Sequence, residues 1–166
     1  MTPKKYMAML QKAFRETPMT DIVSQAKTSL ERFVDGFELS DEAKNSGLDE
    51  YKPFQIAYGI GIVGARTGIA CKTGQLTEKQ LFLTDSVFGE ILPDGMDDLY
   101  KLLTSPTADI ERDLVFLAIA GTGGFVFELL KLILAFAYVD GEMDESTTER
   151  LVSFFETVLL RECEQL

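Results

Sequence analysis

Five carboxylates lie within ten residues near the end of the chain, and they are the side chains best suited to chemistry. They are Asp140, Glu142, Asp144, Glu145 and Glu149. Hard divalent cations prefer several oxygen ligands at once, which clustered carboxylates and turn carbonyls supply. An EF-hand loop starting at Asp140 does not fit, because Glu145 and Leu151 replace its required glycine and final glutamate. The segment is therefore a candidate site for a cation or for a basic group.

Helix capping is the other explanation for these acids. Acidic residues in the first turn of a helix interact favourably with its dipole, by about 0.3–1 kcal/mol each. Asp144 is placed mainly as a cap for the helix that follows. The predicted metal ligands are Asp140, Glu142, Glu145 and Glu149. Ca²⁺, Mn²⁺ and Mg²⁺ are the candidate ions, since all three accept carboxylate oxygens.

A helix–turn–helix corner must position these acids. An apolar helix ends near Val139, where Asp140-Gly141 interrupts it. The apolar side chain of Met143 can then anchor the corner in the core. Glycine suits a helix end because it adopts the left-handed conformation at little cost. The same pattern occurs 67 residues earlier, with Thr73-Gly74 followed by a Thr77–Gln80 capping box. The chain is therefore predicted to contain two related helix–turn–helix halves.

This order of elements resembles the TerB family of helical proteins, named for tellurite-resistance operons. The resemblance is carried by an apolar helix, Asp140-Gly141, an apolar residue and an acidic amphipathic helix, and is best over residues 128–160. The chain departs from the family pattern at Thr147. The family usually has a glutamate at this position, seven residues after the aspartate that corresponds to Asp140. In the first half, Thr73 and Gln80 replace the acidic pair, which weakens the case for a cation there.

The resemblance implies a TerB-like helical domain at residues 51–166, preceded by an N-terminal helical lead at residues 1–50. It also implies a non-catalytic module, linked to stress response, whose acidic patch binds a divalent cation. The alternative is an acidic adaptor or immunity-type protein that binds a basic partner and needs no metal. A third hypothesis is a carrier of hydrophobic ligands that uses a groove along the glycine-rich helix.

Composition argues against several other functions. The 166 residues carry a formal net charge of −11, which repels nucleic-acid phosphates, and contain no histidine, the commonest general base. Cys71 and Cys163 are far apart and lack metal-binding spacing. Glu128 is expected to pair with Lys131 rather than act as a base. We therefore expect no catalytic residues, no signal peptide and a cytoplasmic protein with reduced thiols.

Hydrophobic periodicity predicts helices throughout the chain and no strand. Apolar residues recur at helical spacing, and proline, glycine and acidic stretches separate the segments. Thr20 or Asp21 is expected to cap the second helix. The predicted fold is all-α, a compact bundle of about 7–9 helices. Its helices cover residues 4–16, 20–34, 51–72, 77–92, 97–103, 109–120, 125–139 and 144–162, with a short one after residue 40.

The glycine-rich segment after Tyr51 contains the glycine spacing of a nucleotide-binding motif. Gly59, Gly61 and Gly64 match the spacing of the dinucleotide fingerprint. That fingerprint requires a preceding strand, whereas this segment is predicted to be helical. We expect its small residues to let another helix approach closely instead; they are Ala57, Gly61, Gly64, Ala65 and Gly68.

The apolar stretch from residue 114 to 139 is long enough to suggest a membrane span. Gly121–Gly124 interrupts it, and Glu128 and Lys131 place charges within it. A charge at the centre of a span costs about 2.5–3.5 kcal/mol on insertion scales. Two buried helices joined by a glycine turn explain the stretch more simply, so no membrane span is expected.

Overall fold

Helices form the framework of the protein in its computed structural model. The structure describes residues 2–39, 41–45, 47, 50–70, 76–104 and 126–139, and the single positions 145, 146, 149, 152, 153 and 156. Within these residues no strand occurs, which confirms the all-α prediction. The helices are α1 (Pro3–Arg15), α2 (Met19–Gly36), α3 (Asp41–Asn45), α4 (Pro53–Ala70), α5 (Glu78–Phe88), α6 (Met96–Leu103) and α7 (Val126–Tyr138).

Helices α1 and α2 begin in two different ways. The Thr2 hydroxyl accepts a hydrogen bond from the Lys5 amide at 3.2 Å, ahead of a proline in the first turn of α1. The prediction that Thr20 or Asp21 caps α2 is wrong, because α2 already begins at Met19 after Pro18. The fixed φ of proline suits entry into a helix, and Asp21 lies in the first turn instead, where its charge favours the dipole.

Helix α7 forms the centre of the protein. Every residue from Leu129 to Val139 is buried except Lys131, which is half-buried. A helix that is apolar on nearly all sides must be surrounded by other elements. Helices α1, α2 and α4 pack against α7, while α5 packs on α2 and α6 on α4. The helical lead thus contributes side chains such as Phe14 and Phe33 to the same core as α4 and α7.

Three glycines let α4 lie unusually close to its neighbours. A Cβ atom on Gly61 would lie 2.6 Å from Leu30 Cδ1, and one on Gly64 would lie 3.0 Å from Leu129 Cδ1. A Cβ atom on Gly68 would collide with the Ile133 carbonyl oxygen and come within 2.8 Å of Phe136 Cβ. The predicted close approach of a long apolar helix is confirmed.

This packing also bears on two hypotheses about the glycine-rich segment. The Gly59–Gly64 spacing lies inside helix α4, so it does not form the strand-to-helix turn of a dinucleotide site. Leu129, Leu132 and Ile133 of α7 fill the space beside the glycines. The groove that the carrier hypothesis placed along this helix is therefore filled by the protein itself.

The remaining predicted elements fall wholly or partly outside the described residues. The helix predicted at 109–120 lies there, as do Cys71, Cys163 and the glycine turn at 121–124. Among the described helices, none combines the length and apolar character needed to cross a membrane.

Candidate functional site

The acidic segment begins at the end of a firmly anchored helix. The Val139 amide donates to the Ala135 carbonyl at 3.0 Å, which continues the helical hydrogen bonding one residue beyond Tyr138. Tyr138 and Val139 are both buried, and the Tyr138 ring stacks on Phe14 with centroids 6.0 Å apart. The start of the segment is thus held by the core. Asp140, Glu142 and Asp144 themselves lie outside the described residues.

The other two predicted ligands lie on a helix beyond the corner. Glu145 and Glu149 are both helical and exposed, while Val152 is half-buried and packs against the core. Residues four apart on a helix lie one turn apart, with Cβ atoms about 5–6 Å from each other. The two carboxylates therefore share one side of the helix and are exposed, and Val152, three residues after Glu149, lies on that same side where it contacts the core.

Glu156 extends this exposed acidic side and is not among the ligands that the sequence predicts. It is helical and exposed, and it follows Glu149 by seven residues, the spacing of two turns in a continuous helix. We refer to Glu145, Glu149 and Glu156 as the acidic row. The seven-residue spacing between Glu149 and Glu156 is the signal that indicates their common face.

The start of α5 is organised by Gln80. The predicted capping box is confirmed: the Gln80 amide donates to the Thr77 hydroxyl, and the Thr77 amide donates to Gln80 Oε1, both at 3.2 Å. Gln80 is fully buried, and its Nε2 also donates to the Phe136 carbonyl at 3.0 Å. The side chain is thus committed to protein hydrogen bonds. Leu76, which immediately precedes the capping box, is half-buried against the core.

Glu128 forms the ion pair that the sequence predicts. Its Oε1 lies 3.6 Å from Lys131 Nζ and 3.8 Å from Arg32 Nη1, and its side chain is only 15% exposed. Lys131 neutralises Glu128 from one helical turn away, and Arg32 approaches from α2, a contact that sequence spacing does not indicate. The Arg32–Glu128 pair therefore links α2 to α7 at the edge of the core, whereas the Lys131–Glu128 pair lies within α7.

A second polar contact joins α5 to α6. The Tyr100 hydroxyl donates to Asp85 Oδ1. This hydrogen bond to the carboxylate, together with burial and the negative charges of Asp85 and Asp97, raises the pKa of Tyr100 to about 12. Proton loss would place a phenolate beside a carboxylate, so the folded protein favours the neutral phenol.

The described residues contain part of the predicted metal site only. Among them, no group of three or more cysteine, aspartate or glutamate side chains is arranged to hold a metal ion. Asp140 and Glu142 lie outside this part of the chain, so the four-ligand site remains a prediction. Comparisons with protein-family models, curated proteins and solved structures find no match to this chain.

Proposed function

We propose that the chain is a non-catalytic, TerB-like module that binds a divalent cation through Asp140, Glu142, Glu145 and Glu149. The observation that carries the proposal is the exposure of Glu145 and Glu149 on one side of a helix whose Val152 packs on the core. The contact of Val152 with the core holds this helix in place, while the two carboxylates remain exposed to solvent. A cation such as Ca²⁺ needs six to eight oxygens, which further carboxylates, carbonyls and waters would supply.

The proposal includes a finer description of the fold. It comprises two related helix–turn–helix halves in about 7–9 helices, with a lead at residues 1–50 and a TerB-like domain at 51–166. The capping box at Thr77–Gln80 is evidence for the proposed first half, and the hydrogen-bonded end of α7 is evidence for the proposed second half. We extend the family resemblance to a cytoplasmic role in stress response, in which binding rather than catalysis is the activity.

The length of the acidic row favours a second candidate function, an acidic adaptor for a basic protein. Glu145 and Glu156 are both helical and eleven residues apart, a separation that corresponds to about 16 Å along a continuous helix. Oxygen ligands of Ca²⁺ lie only about 2.3–2.6 Å from the ion, so one cation cannot use the whole row. A basic protein surface can contact all three carboxylates, and such binding weakens strongly as salt screens the charges.

Thermal unfolding with and without metal tests the cation proposal. A ligand that binds only the folded state at a hundred times its Kd adds about 2.7 kcal/mol of stability, equivalent to about 5–10 °C in Tm for a domain of this size. We expect saturable stabilisation by Ca²⁺ or Mn²⁺ in the chelator-treated protein, lost in Asp140→Asn. An unchanged Tm with every ion, together with salt-sensitive binding to a basic protein, would favour the adaptor.

A further inference from the structure

Helix α1 carries positive charge and no negative charge. Between Pro3 and Arg15 it contains Lys4, Lys5, Lys12 and Arg15 and no acidic residue, although acids outnumber bases by 27 to 16 in the whole chain. All four basic residues are exposed, whereas the opposite side of the helix is buried in the core. A helix turns by about 100° per residue, so these four positions fall within about 100° of its circumference. We refer to them as the basic face of α1.

Helix stability does not account for the lysines at the start of α1. Lys4 and Lys5 lie in the first turn, where the helix dipole is positive and a positive charge lowers stability. Helices α2, α5, α6 and α7 of the same chain carry acidic residues in their first turns instead. The two lysines therefore oppose the local preference that the other helices follow. Together with the dipole, they make the start of α1 a strongly positive part of an acidic protein.

The lysines of the basic face are available to a partner. The buried side of α1 packs against α7, which fixes the orientation of the helix. No ion pair within the described part of the chain involves Lys4, Lys5 or Lys12. Arg15 has an interaction partner within the protein, so the argument rests on the three lysines. Glu16, which follows the helix directly, is the exposed acid nearest to them in the sequence.

We propose that the basic face of α1 binds the surface of a membrane rich in anionic phospholipids. The other exposed positions on this side of the helix are Ala8, Met9 and Ala13. The centre of a protein–protein interface is typically depleted in lysine and enriched in aromatic residues, which this face lacks. Small residues between lysines suit a flat surface whose negative charges move laterally to meet the ammonium groups. Basic residues on an amphipathic helix are a recognised signature of binding to anionic lipid.

This binding is electrostatic and superficial. The apolar side of α1 is occupied by the core, so it does not insert among the acyl chains. The formal net charge of −11 opposes approach of the protein from other directions. Charges farther than about 8 Å from the membrane are largely screened at physiological ionic strength, so the charge of the contacting face decides the outcome. The protein would therefore bind in one orientation, with α1 against the lipid. This surface does not depend on the proposed cation site.

Cosedimentation of the full chain with lipid vesicles tests the proposal. We expect binding to vesicles of mixed phosphatidylserine and phosphatidylcholine at low salt, little at high salt, and none to phosphatidylcholine alone. Replacing Lys4, Lys5 and Lys12 together with glutamine should lower the partition coefficient about fivefold per lysine, or about a hundredfold in total. Circular dichroism should show unchanged helix content, because glutamine is also a good helix former.

A second triple variant is the matched control. Replacing Lys44, Lys79 and Lys101 with glutamine removes the same net charge from exposed positions on α3, α5 and α6. It should lower the partition coefficient much less than the α1 variant does. Equal losses in the two triple variants, no binding to the anionic vesicles, or binding that persists at high salt would each overturn the proposal. Binding of polyglutamate but not of anionic vesicles would also overturn it, in favour of an acidic protein segment.

Discussion

The side-chain amide of Gln80 donates a hydrogen bond to the main-chain carbonyl of Phe136 across the buried interface between α5 and α7. Phe136 lies in the last turn of α7, where carbonyl groups lack partners within the helix. The same side chain closes the capping box with Thr77. One glutamine therefore satisfies polar groups at the start of one helix and at the end of another. The residue 67 positions later is Thr147, which lies outside the described residues.

Replacing Gln80 with methionine should destabilise the protein. Methionine has a similar length but neither donates to Phe136 nor completes the capping box. The Phe136 carbonyl would then be buried without this partner, which costs about 1–3 kcal/mol. We expect a lower midpoint of urea unfolding with an unchanged m-value.

Lys79→Met is the matched control for this change. It introduces the same side chain on the same turn of α5, but at an exposed position. Its effect on the free energy of unfolding should stay within about 0.5 kcal/mol. Equal effects of the two substitutions would show that the buried Gln80–Phe136 hydrogen bond contributes nothing specific to stability.

Two glycines of α4 should respond oppositely to alanine. In Gly68→Ala the new Cβ would meet main-chain atoms of Ile133 and Ala137, which cannot rotate away, and overpacking of this kind costs about 1–3 kcal/mol. Gly59 is exposed, and a Cβ atom added there would have no neighbour within 4 Å, so Gly59→Ala should stabilise the helix by up to about 1 kcal/mol. Urea unfolding measures both changes. Stabilisation by Gly68→Ala would contradict close packing of α4 on α7.

The Tyr100–Asp85 hydrogen bond predicts a specific loss of stability at alkaline pH. The pKa of Tyr100 is about 12 in the folded protein, against 10.0 for an ordinary tyrosine. Below pH 10 the phenol is protonated in both states, so the stabilising contribution is fully present. As pH rises from 10 towards 12, the unfolded chain releases the proton before the folded chain does, and the contribution is lost.

Phenolate absorbance measures this titration directly. The difference between the wild-type titration and that of Tyr100→Phe isolates Tyr100 from the other four tyrosines. We expect its midpoint near 12, and we expect the stability of Tyr100→Phe to fall less steeply above pH 10. A difference midpoint near 10 would show that the hydrogen bond to Asp85 does not form in solution.

Local sequence patterns predicted the helices and their internal contacts well. The Thr77–Gln80 capping box and the Glu128–Lys131 pair depend on residues three apart, and a helix brings such residues together whatever surrounds it. The glycine spacing of α4 likewise indicated close packing. The start of α2 was missed because Thr20 and Asp21 are good caps in isolation, while Pro18 is the residue that precedes the helix.

Contacts between distant segments could not be predicted from the sequence. Gln80 and Phe136 are separated by 56 residues, and no spacing rule connects them. Arg32 likewise approaches Glu128 from another helix, α2. These relationships depend on how the helices are arranged in space. The sequence pattern did indicate the acidic character of the region after α7, through the number and spacing of its carboxylates.

Calorimetric titration of the chelator-treated protein with Ca²⁺ and Mn²⁺ tests the proposed cation site most directly. We predict a stoichiometric binding heat that is lost in Asp140→Asn and preserved in Glu156→Gln. Glu156→Gln removes the same charge from the exposed acidic row, at a distance from the proposed ligands. The absence of binding heat with both ions, or an equal loss in the two variants, would contradict a cation site at this corner.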